Sequence, residues 1–470
     1  MGRPLLALLL LSLALACGAR EAHAPRPNAP GPDIVLVSID SLRFDHLGCY
    51  GYKPPTSPAI DRLATEGVRC ETAISTTSWT LPSHAAMFTG LFDSAHGVVD
   101  NGLALPDERV TLAEVLRDAG WQTAGFYGGP YLEPAFGLSQ GFETWRSCMS
   151  EAVRESASHR DVTGPRTLAE VTKWLDEGME KPGGRPLFLF LHLWDVHYDY
   201  VPPPEYAKLF DPDYPGSLDA SDLMNNPAVG PRMAPRDFQH LVALYDGEIR
   251  FTDDVLGKIL GEIGRRGRLE NALVVVTADH GEEFFEHDGK GHQRTLFDEV
   301  VRVPLIFRWK GQLPTRSVVK EPVRLVDLLP TLLSLAGVAE VPAAQGRDIA
   351  PLLLGEKLPP APALCELLVD GNDLHALRTE RAKVLDYRHA NTRIGYDLLM
   401  DPREERPLAE DSDLVRAGLD DLSREIEASL ASRRGREARP FGLDPDLKRR
   451  LGDLGYVGRE TAGARKEKDR

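Results

Sequence analysis

The sequence predicts an α/β protein built on a mostly parallel, doubly wound sheet, with a small α+β subdomain at the C-terminal end. Three apolar runs carry that expectation: residues 34–39 (Ile-Val-Leu-Val-Ser-Ile), 187–191 (Leu-Phe-Leu-Phe-Leu) and 272–277 (Ala-Leu-Val-Val-Val-Thr). Short, nearly continuous hydrophobic runs suit strands buried on both faces, as in a parallel sheet covered by helices. Each run ends in polar chemistry: Asp40 after the first, His192, Asp195 and His197 after the second, Asp279 and His280 after the third. In such sheets ligands bind beyond the carboxyl ends of the strands, so Asp40, Asp195, His197, Asp279 and His280 are expected along one edge.

Taken in order, the chain opens with Arg3, an apolar stretch from residue 5 to 16, and Cys17-Gly18-Ala19. A basic start, a short apolar run and small residues make an export signal over 1–24, too short to span a bilayer. Two processing routes stay open: cleavage at an Ala-x-Ala site, or lipid attachment at Cys17, whose Leu15-Ala16-Cys17-Gly18 resembles a bacterial lipoprotein box. The expected location is outside the cytoplasm: periplasmic, membrane-anchored as a lipoprotein, or secreted. A Pro-rich tether occupies 25–32. The main α/β body is then expected over 33–357. Within it, Thr111-Leu-Ala-Glu114 is a capping box opening a helix over 112–119, Gly120 stops that helix, and 121–127 reads as a strand. An amphipathic helical pattern spans 241–263, a further apolar run spans 301–307, and a helix covers 327–336. Rising proline density sets a boundary near 358; short strands over 374–379, 383–387 and 396–400 make the small subdomain of 358–410, and 411–470 is a charged helical tail.

Composition narrows the function classes. The chain has 470 residues, 55 Lys+Arg against 71 Asp+Glu, and a formal net charge of -16, which disfavours binding to a nucleic-acid backbone. Five cysteines without paired C-x-x-C spacing argue against a disulfide scaffold or a zinc ribbon. No segment after the N-terminal one reaches the ~18 apolar residues of a membrane span.

The densest chemistry lies in Ser78-Trp-Thr80-Leu-Pro82-Ser83-His84. Pro82 belongs in the first turn of a helix, which places Thr80 at or just before the helix N-terminus, where free N–H groups and the helix dipole favour an anion. A hydroxyl there becomes a nucleophile if a metal lowers its pKa; as a plain helix cap it does no chemistry at all. Asp40, Asp279 and His280 offer oxygen and imidazole ligands that suit zinc, manganese or calcium without choosing among them. Asp195 and His192, with His197 and His292, are candidates for a second metal centre, and Glu282 and Glu283 for groups that orient His280 or the metal.

Five segments in order, Asp40-Ser-Leu-Arg-Phe-Asp-His-Leu-Gly-Cys-Tyr-Gly51, Thr80-Leu-Pro-Ser-His84 with Thr89-Gly90, Tyr245-Asp-Gly-Glu-Ile, Asp279-His-Gly-Glu282 and Phe297-Asp-Glu-Val-Val-Arg-Val-Pro-Leu-Ile306, resemble the sulfatase family of the alkaline phosphatase superfamily. The resemblance covers roughly residues 33 to 400. It implies an alkaline phosphatase-like αβα sandwich and a metal-dependent, arylsulfatase-like ester hydrolase. It further implies Asp40, Thr80, Asp279 and His280 at the metal, and Thr80, His84 and His197 as catalytic positions. His197, His292 and Lys290 are implied as contacts for the anionic group, with His292 preferred to Lys290 by spacing; Arg43, just after the first strand, is a further candidate contact or else a surface or ion-pair residue.

The departures from the family are specific. Sulfatases carry Cys or Ser at the nucleophile, converted to formylglycine, and Arg four residues on; this chain has Thr80 and His84. Oxidised threonine would be a ketone, so no formylglycine is expected. The second Asp of the family's opening pair is Ser41, and a Lys-x-His common after the next strand is missing from Tyr127-Gly-Gly-Pro-Tyr131. Threonine nucleophiles lean towards phosphoric esters, overall similarity towards sulfuric ones. The expected partner is a small anionic ester, on a glycan or lipid, and no nucleic acid. Competing expectations are a phosphoryl-group transferase acting on an envelope glycan or lipid, and a sulfatase-like binding protein without catalysis.

Overall fold

The computed structural model describes residues 31–150, 161–179, 184–339, 343–433 and 436–453. The export segment with Cys17, most of the tether and the end of the charged tail lie outside the described residues.

The three apolar runs form adjacent strands. β1 (Asp33–Ile39) lies between two parallel neighbours whose ranges are Leu187–Leu193 and Ala272–Ala278, in register with Ser38 opposite both His192 and Thr277. With β2 (Val68–Ile74), β3 (Gln122–Tyr127) and β4 (Thr144–Ser147), the run at 187–193 becomes β5 and that at 272–278 β6. β7 (Arg302–Trp309), β8 (Ser317–Val319) and β9 (Val323–Arg324) complete a nine-stranded sheet in the order β8-β2-β7-β6-β1-β5-β3-β4, with β9 also paired to β2. Only β7 runs antiparallel to its neighbours. Every residue of β1, β5 and β6 is buried, as continuous apolar runs demand.

Helices fall into two groups that pack among themselves: α1 (Pro58–Glu66), α4 (Gly164–Glu177) and α5 (Pro235–Arg265) in one, and α2 (Thr80–Thr89), α3 (Leu112–Asp118) and α6 (Leu328–Ala336) in the other. This is a three-layered sandwich. The Thr111–Glu114 capping box forms as expected, with the Thr111 hydroxyl accepting from Glu114 N and the Glu114 carboxylate from Thr111 N. Gly120 takes φ 102°, a left-handed conformation that ends α3.

The C-terminal sheet holds four antiparallel strands: β10 (Ala363–Leu367), β11 (Leu374–Arg378), β12 (Ala382–Tyr387) and β13 (Thr392–Asp397). The sequence reading omitted β10 and set the last strand at 396–400. The correction is physical: Asp397 accepts from Leu399 N and receives the Met400 and Asp401 amides at its carbonyl, so the chain turns there. α7 (Asp413–Arg433) covers this sheet, burying Val415, Leu422 and Ile426 with Leu364, Leu377 and Val384. β10 also reaches the main body, where Glu366 N donates to Thr76 O and Cys365 Sγ to Ser75 O. No described helix is long and apolar enough to cross a membrane.

Candidate active site and metal centre

The carboxyl ends of β1, β5 and β6 deliver Asp40, His192, Asp279 and His280 to one point, all fully buried, and α2 delivers Thr80 from the side. Thr80 is the first residue of α2, after the N-cap Trp79, and its hydroxyl is bonded to no backbone group. Its Oγ1 instead stands 3.4 Å from Asp40 Oδ2 and 3.4 Å from His280 Nε2. His280 Nε2 lies 3.7 Å from Asp40 Oδ1 and 3.6 Å from Asp279 Oδ2. Asp40, Asp279 and His280 form one group able to hold a metal ion.

The surroundings lock this arrangement. Ser75 Oγ and Ser83 Oγ both donate to the Asp279 carbonyl, at 2.6 and 2.8 Å, tying α2 and the end of β2 to the end of β6. Ser83 is thus a structural donor rather than an alternative nucleophile. Ser41 N and His280 N donate to Asp279 Oδ1, and Ser41 Oγ donates to Asp40 Oδ1. The Tyr245 hydroxyl donates to Ser41 O and accepts from Arg43 N, which pins the loop after β1. This explains the Tyr245 segment, quoted above without a role.

Two buried carboxylates side by side need a cation. Burial, with the Asp40 charge added, pushes the Asp279 carboxyl above its ordinary range. Burial also opposes charge on Asp40, but the imidazoles of His197, His192 and His280 outweigh it and hold that carboxyl well below its ordinary range. Two buried atoms at this point, Asp279 Oδ2 and His192 Nε2, have no hydrogen-bond partner. Orphaned ligand atoms around a carboxylate pair are what a divalent ion satisfies, so the residues present fit the group that the family pattern implies.

Several expected contacts are corrected. Arg43 does not reach the cluster: Nε and Nη2 are spent on Asp45, and Nη1 on Glu282 O and Glu286 Oε1. Lys290 points away, its Nζ donating to the carbonyls of Asn226 and Val229. His84, one turn into α2, has both ring nitrogens engaged, Nδ1 donating to Thr80 O and Nε2 accepting from Ser38 Oγ. Burial, reinforced by His192, drives its pKa well down, so His84 is a neutral positioning residue for the first turn of α2. Asp195 belongs to no metal group, because both its oxygens receive the Thr163 amide and hydroxyl at the start of α4. Glu282 receives His292 Nδ1 at 3.1 Å instead of orienting His280, and Glu283 accepts the amides of His287 and Gly289.

His292 does arrive, its ring centroid 4.3 Å from that of His280 and 4.9 Å from that of His197. His197 stacks on Trp194 at 4.0 Å and donates Nδ1 to Tyr198 O. His192, weighed above only with Asp195, His197 and His292, sits instead with Asp40 and Asp279.

Gly281 shows how tightly the loop is built. A Cβ there would lie 2.1 Å from Glu299 O, while Gly281 N donates to Val300 O and Gly281 O receives His280 Nδ1. Gly281→Ala is expected to push the Asp279–His280 loop off the sheet edge and lower turnover by about a hundredfold or more, since misplacement by about 1 Å costs that much. Steady-state kinetics with thermal melting checks this; wild-type turnover in the variant would contradict it.

A sulfatase family model matches residues 32–338, and one described as N-sulphoglucosamine sulphohydrolase, C-terminal, matches 286–432. The chain is 26% identical over 464 residues to an ulvan-active sulfatase of Formosa agariphila, covering 91% of this chain and 86% of that protein. A structure solved with its substrate D-glucosamine-2-N,6-O-disulfate superimposes with TM-score 0.71 at 20% identity, covering 88% of this chain and 99% of the other. The phosphonate monoester hydrolase of Agrobacterium radiobacter superimposes with TM-score 0.70 at 21% identity, covering 88% and 100%. At such identities the structural likeness is one of fold.

Proposed function

The chain belongs to the sulfatase family and is a hydrolase of sulfuric or phosphoric esters; from that premise we propose that Thr80 is its nucleophile and that its substrate is an anionic ester carried on a glycan. The observation that carries the nucleophile assignment is the position of Thr80 Oγ1, 3.4 Å from both Asp40 Oδ2 and His280 Nε2 and bound to no backbone amide. A hydroxyl bonded to no backbone group and aimed at a carboxylate pair is placed for chemistry.

Asp40, Asp279 and His280 would hold a divalent ion, with Thr80 Oγ1 beside it. When bound, the ion supplies the positive charge that lowers the hydroxyl's pKa and balances the oxygens of the transferred group. The N-terminus of α2 adds free N–H groups at the same place. Thr80 Oγ1 forms its bond to sulfur or phosphorus as the ester oxygen departs on the opposite side. The hydroxyl proton has the Asp40 carboxylate within reach. His197 and His292 hold the equatorial oxygens, His292 being steadied by Glu282. Water then takes the group from Thr80 and restores the hydroxyl. An acidic protein thereby binds an anion through a local positive field, against its net charge of -16.

The glycan reading is supported by the relative named for ulvan and by the disulfated glucosamine in the solved structure. The signal pattern of residues 1–24 supports export, with Cys17 as lipid anchor or discarded residue.

Dialysis against a chelator is expected to remove turnover of sulfate monoesters, phosphate monoesters or phosphodiesters, and adding back zinc, manganese or calcium to restore it. A panel over these esters and ions identifies the substrate class; full turnover in the chelated protein would count against the reading. Discharge of a labelled Thr80 only by an acceptor alcohol would turn it into a transferase.

A further inference from the structure

We propose that His192 Nε2 is a further ligand of the divalent ion, standing in for the carboxylate that Ser41 does not provide. The inference rests on the metal reading above. Ser41 sits beside Asp40 with its hydroxyl turned onto Asp40 Oδ1, so position 41 brings no second carboxylate to the cluster. His192 arrives from the neighbouring strand, in register with Ser38, and its whole ring is buried. Its Nδ1 donates to Gly128 O at 2.8 Å, which leaves the Nε2 lone pair on the other side. That lone pair faces Asp40 Oδ2 at 3.4 Å and Asp279 Oδ2 at 3.9 Å and has no hydrogen-bond partner.

A ring nitrogen facing two carboxylates needs a cation there, either a proton on Nε2 or a metal ion between them. A proton on Nε2 would draw the ring to ~2.8 Å from a carboxylate, the ordinary length of such a charge-assisted bond. The separations are wider. Thr80, His192 and His280 stand off from the two carboxylates by 3.4 to 3.9 Å, close to the separations of about 3 to 3.6 Å between five ligand atoms about 2.1 Å from one shared ion. His280 repeats the logic, with Nδ1 fixed on Gly281 O and Nε2 facing Thr80 Oγ1 and the same oxygens. A ligating histidine usually has its other nitrogen tied in this way. His84, also close to Asp279, has both nitrogens spent within the fold and is no ligand.

Two imidazoles with two carboxylates favour zinc, cobalt or manganese over calcium, which prefers oxygen ligands. Metal-stripped full-length protein is therefore titrated with zinc, cobalt and calcium, and X-ray absorption at the zinc edge counts imidazoles per ion. Wild type is expected to bind one ion with two imidazoles. His192→Gln should lose about tenfold to a hundredfold in zinc affinity, with much less change for calcium, and should alter the visible spectrum of the cobalt form. A positioning role alone would leave that spectrum and the zinc-to-calcium ratio unmoved. One imidazole per zinc in wild type would overturn the inference while leaving the metal reading intact, and needs no variant to fold. Unchanged zinc affinity and cobalt spectrum in His192→Gln would also overturn it. Failure of wild type to bind any of the three ions would overturn both readings.

Discussion

Thr80→Ala is expected to lower turnover by at least about a thousandfold, leaving the melting temperature close to that of wild type, whereas Thr80→Ser keeps a measurable rate. Both halves come from the same geometry. Removing a helix cap costs about 1 kcal/mol because a backbone N–H loses its partner, but the Thr80 hydroxyl caps nothing and its nearest polar neighbours are Asp40 and His280. Its loss therefore strips out the reacting atom with little effect on the fold. Substrate binding should persist, because the N-terminus of α2, His197 and His292 are untouched, so the deficit falls on kcat more than on KM. Steady-state kinetics on the best ester from the panel, with calorimetry, checks this. Wild-type turnover in Thr80→Ala would remove Thr80 from the chemistry. A large fall in melting temperature would return it to a structural role.

The carboxylate–imidazole cluster and the position of Thr80 beside it were legible because their signals are local. A buried parallel strand writes a continuous apolar run, and the first polar residue after it must emerge at the sheet edge, which located Asp40, Asp279 and His280 together. Pro82 located the start of α2 and so Thr80. Contacts made across the fold left no such mark. Nothing in the spacing around Arg43 tells that Asp45 and Glu286 absorb its guanidinium, or that Lys290 turns to the loop at Asn226 and Val229. His192 was visible as a strand-end histidine, but its partners depend on which strands are neighbours. Only the adjacency of β5 to β1, in register at Ser38, brings it to Asp40 rather than to Asp195. β10 was missed because Ala363–Leu367 is short and carries Glu366, a charged residue whose side chain is buried against the Ser94 amide and His375, partners from other segments of the fold.

Lys383→Met should destabilise the protein by about 3–5 kcal/mol, the cost of stripping one partner from a buried ion pair. Lys383, on β12, is fully buried, with Nζ 2.9 Å from Asp298 Oδ1 and 2.9 Å from Glu404 Oε1. Burial opposes the Asp298 charge, but Lys383 and Arg378 outweigh it and hold the carboxyl well below its ordinary range. For Glu404 burial wins, lifting it to about 7. A group depressed as Asp298 is contributes stability above its unfolded pKa and loses it as pH falls. Without Lys383 both carboxyls rise, so the variant's deficit should be greatest at neutral pH and above, and should shrink as acid protonates Asp298 and Glu404. Urea denaturation at neutral and mildly acidic pH measures it; a deficit that grows with acidity would refute the argument. The effect should also reach the active site. Asp298 begins the turn whose Glu299 and Val300 carbonyls receive the amides of Glu282 and Gly281, directly after the Asp279–His280 pair. Lys383 thus anchors from the C-terminal sheet the turn on which the metal-site loop is hung, so weakened metal affinity is expected in Lys383→Met even where the protein remains folded.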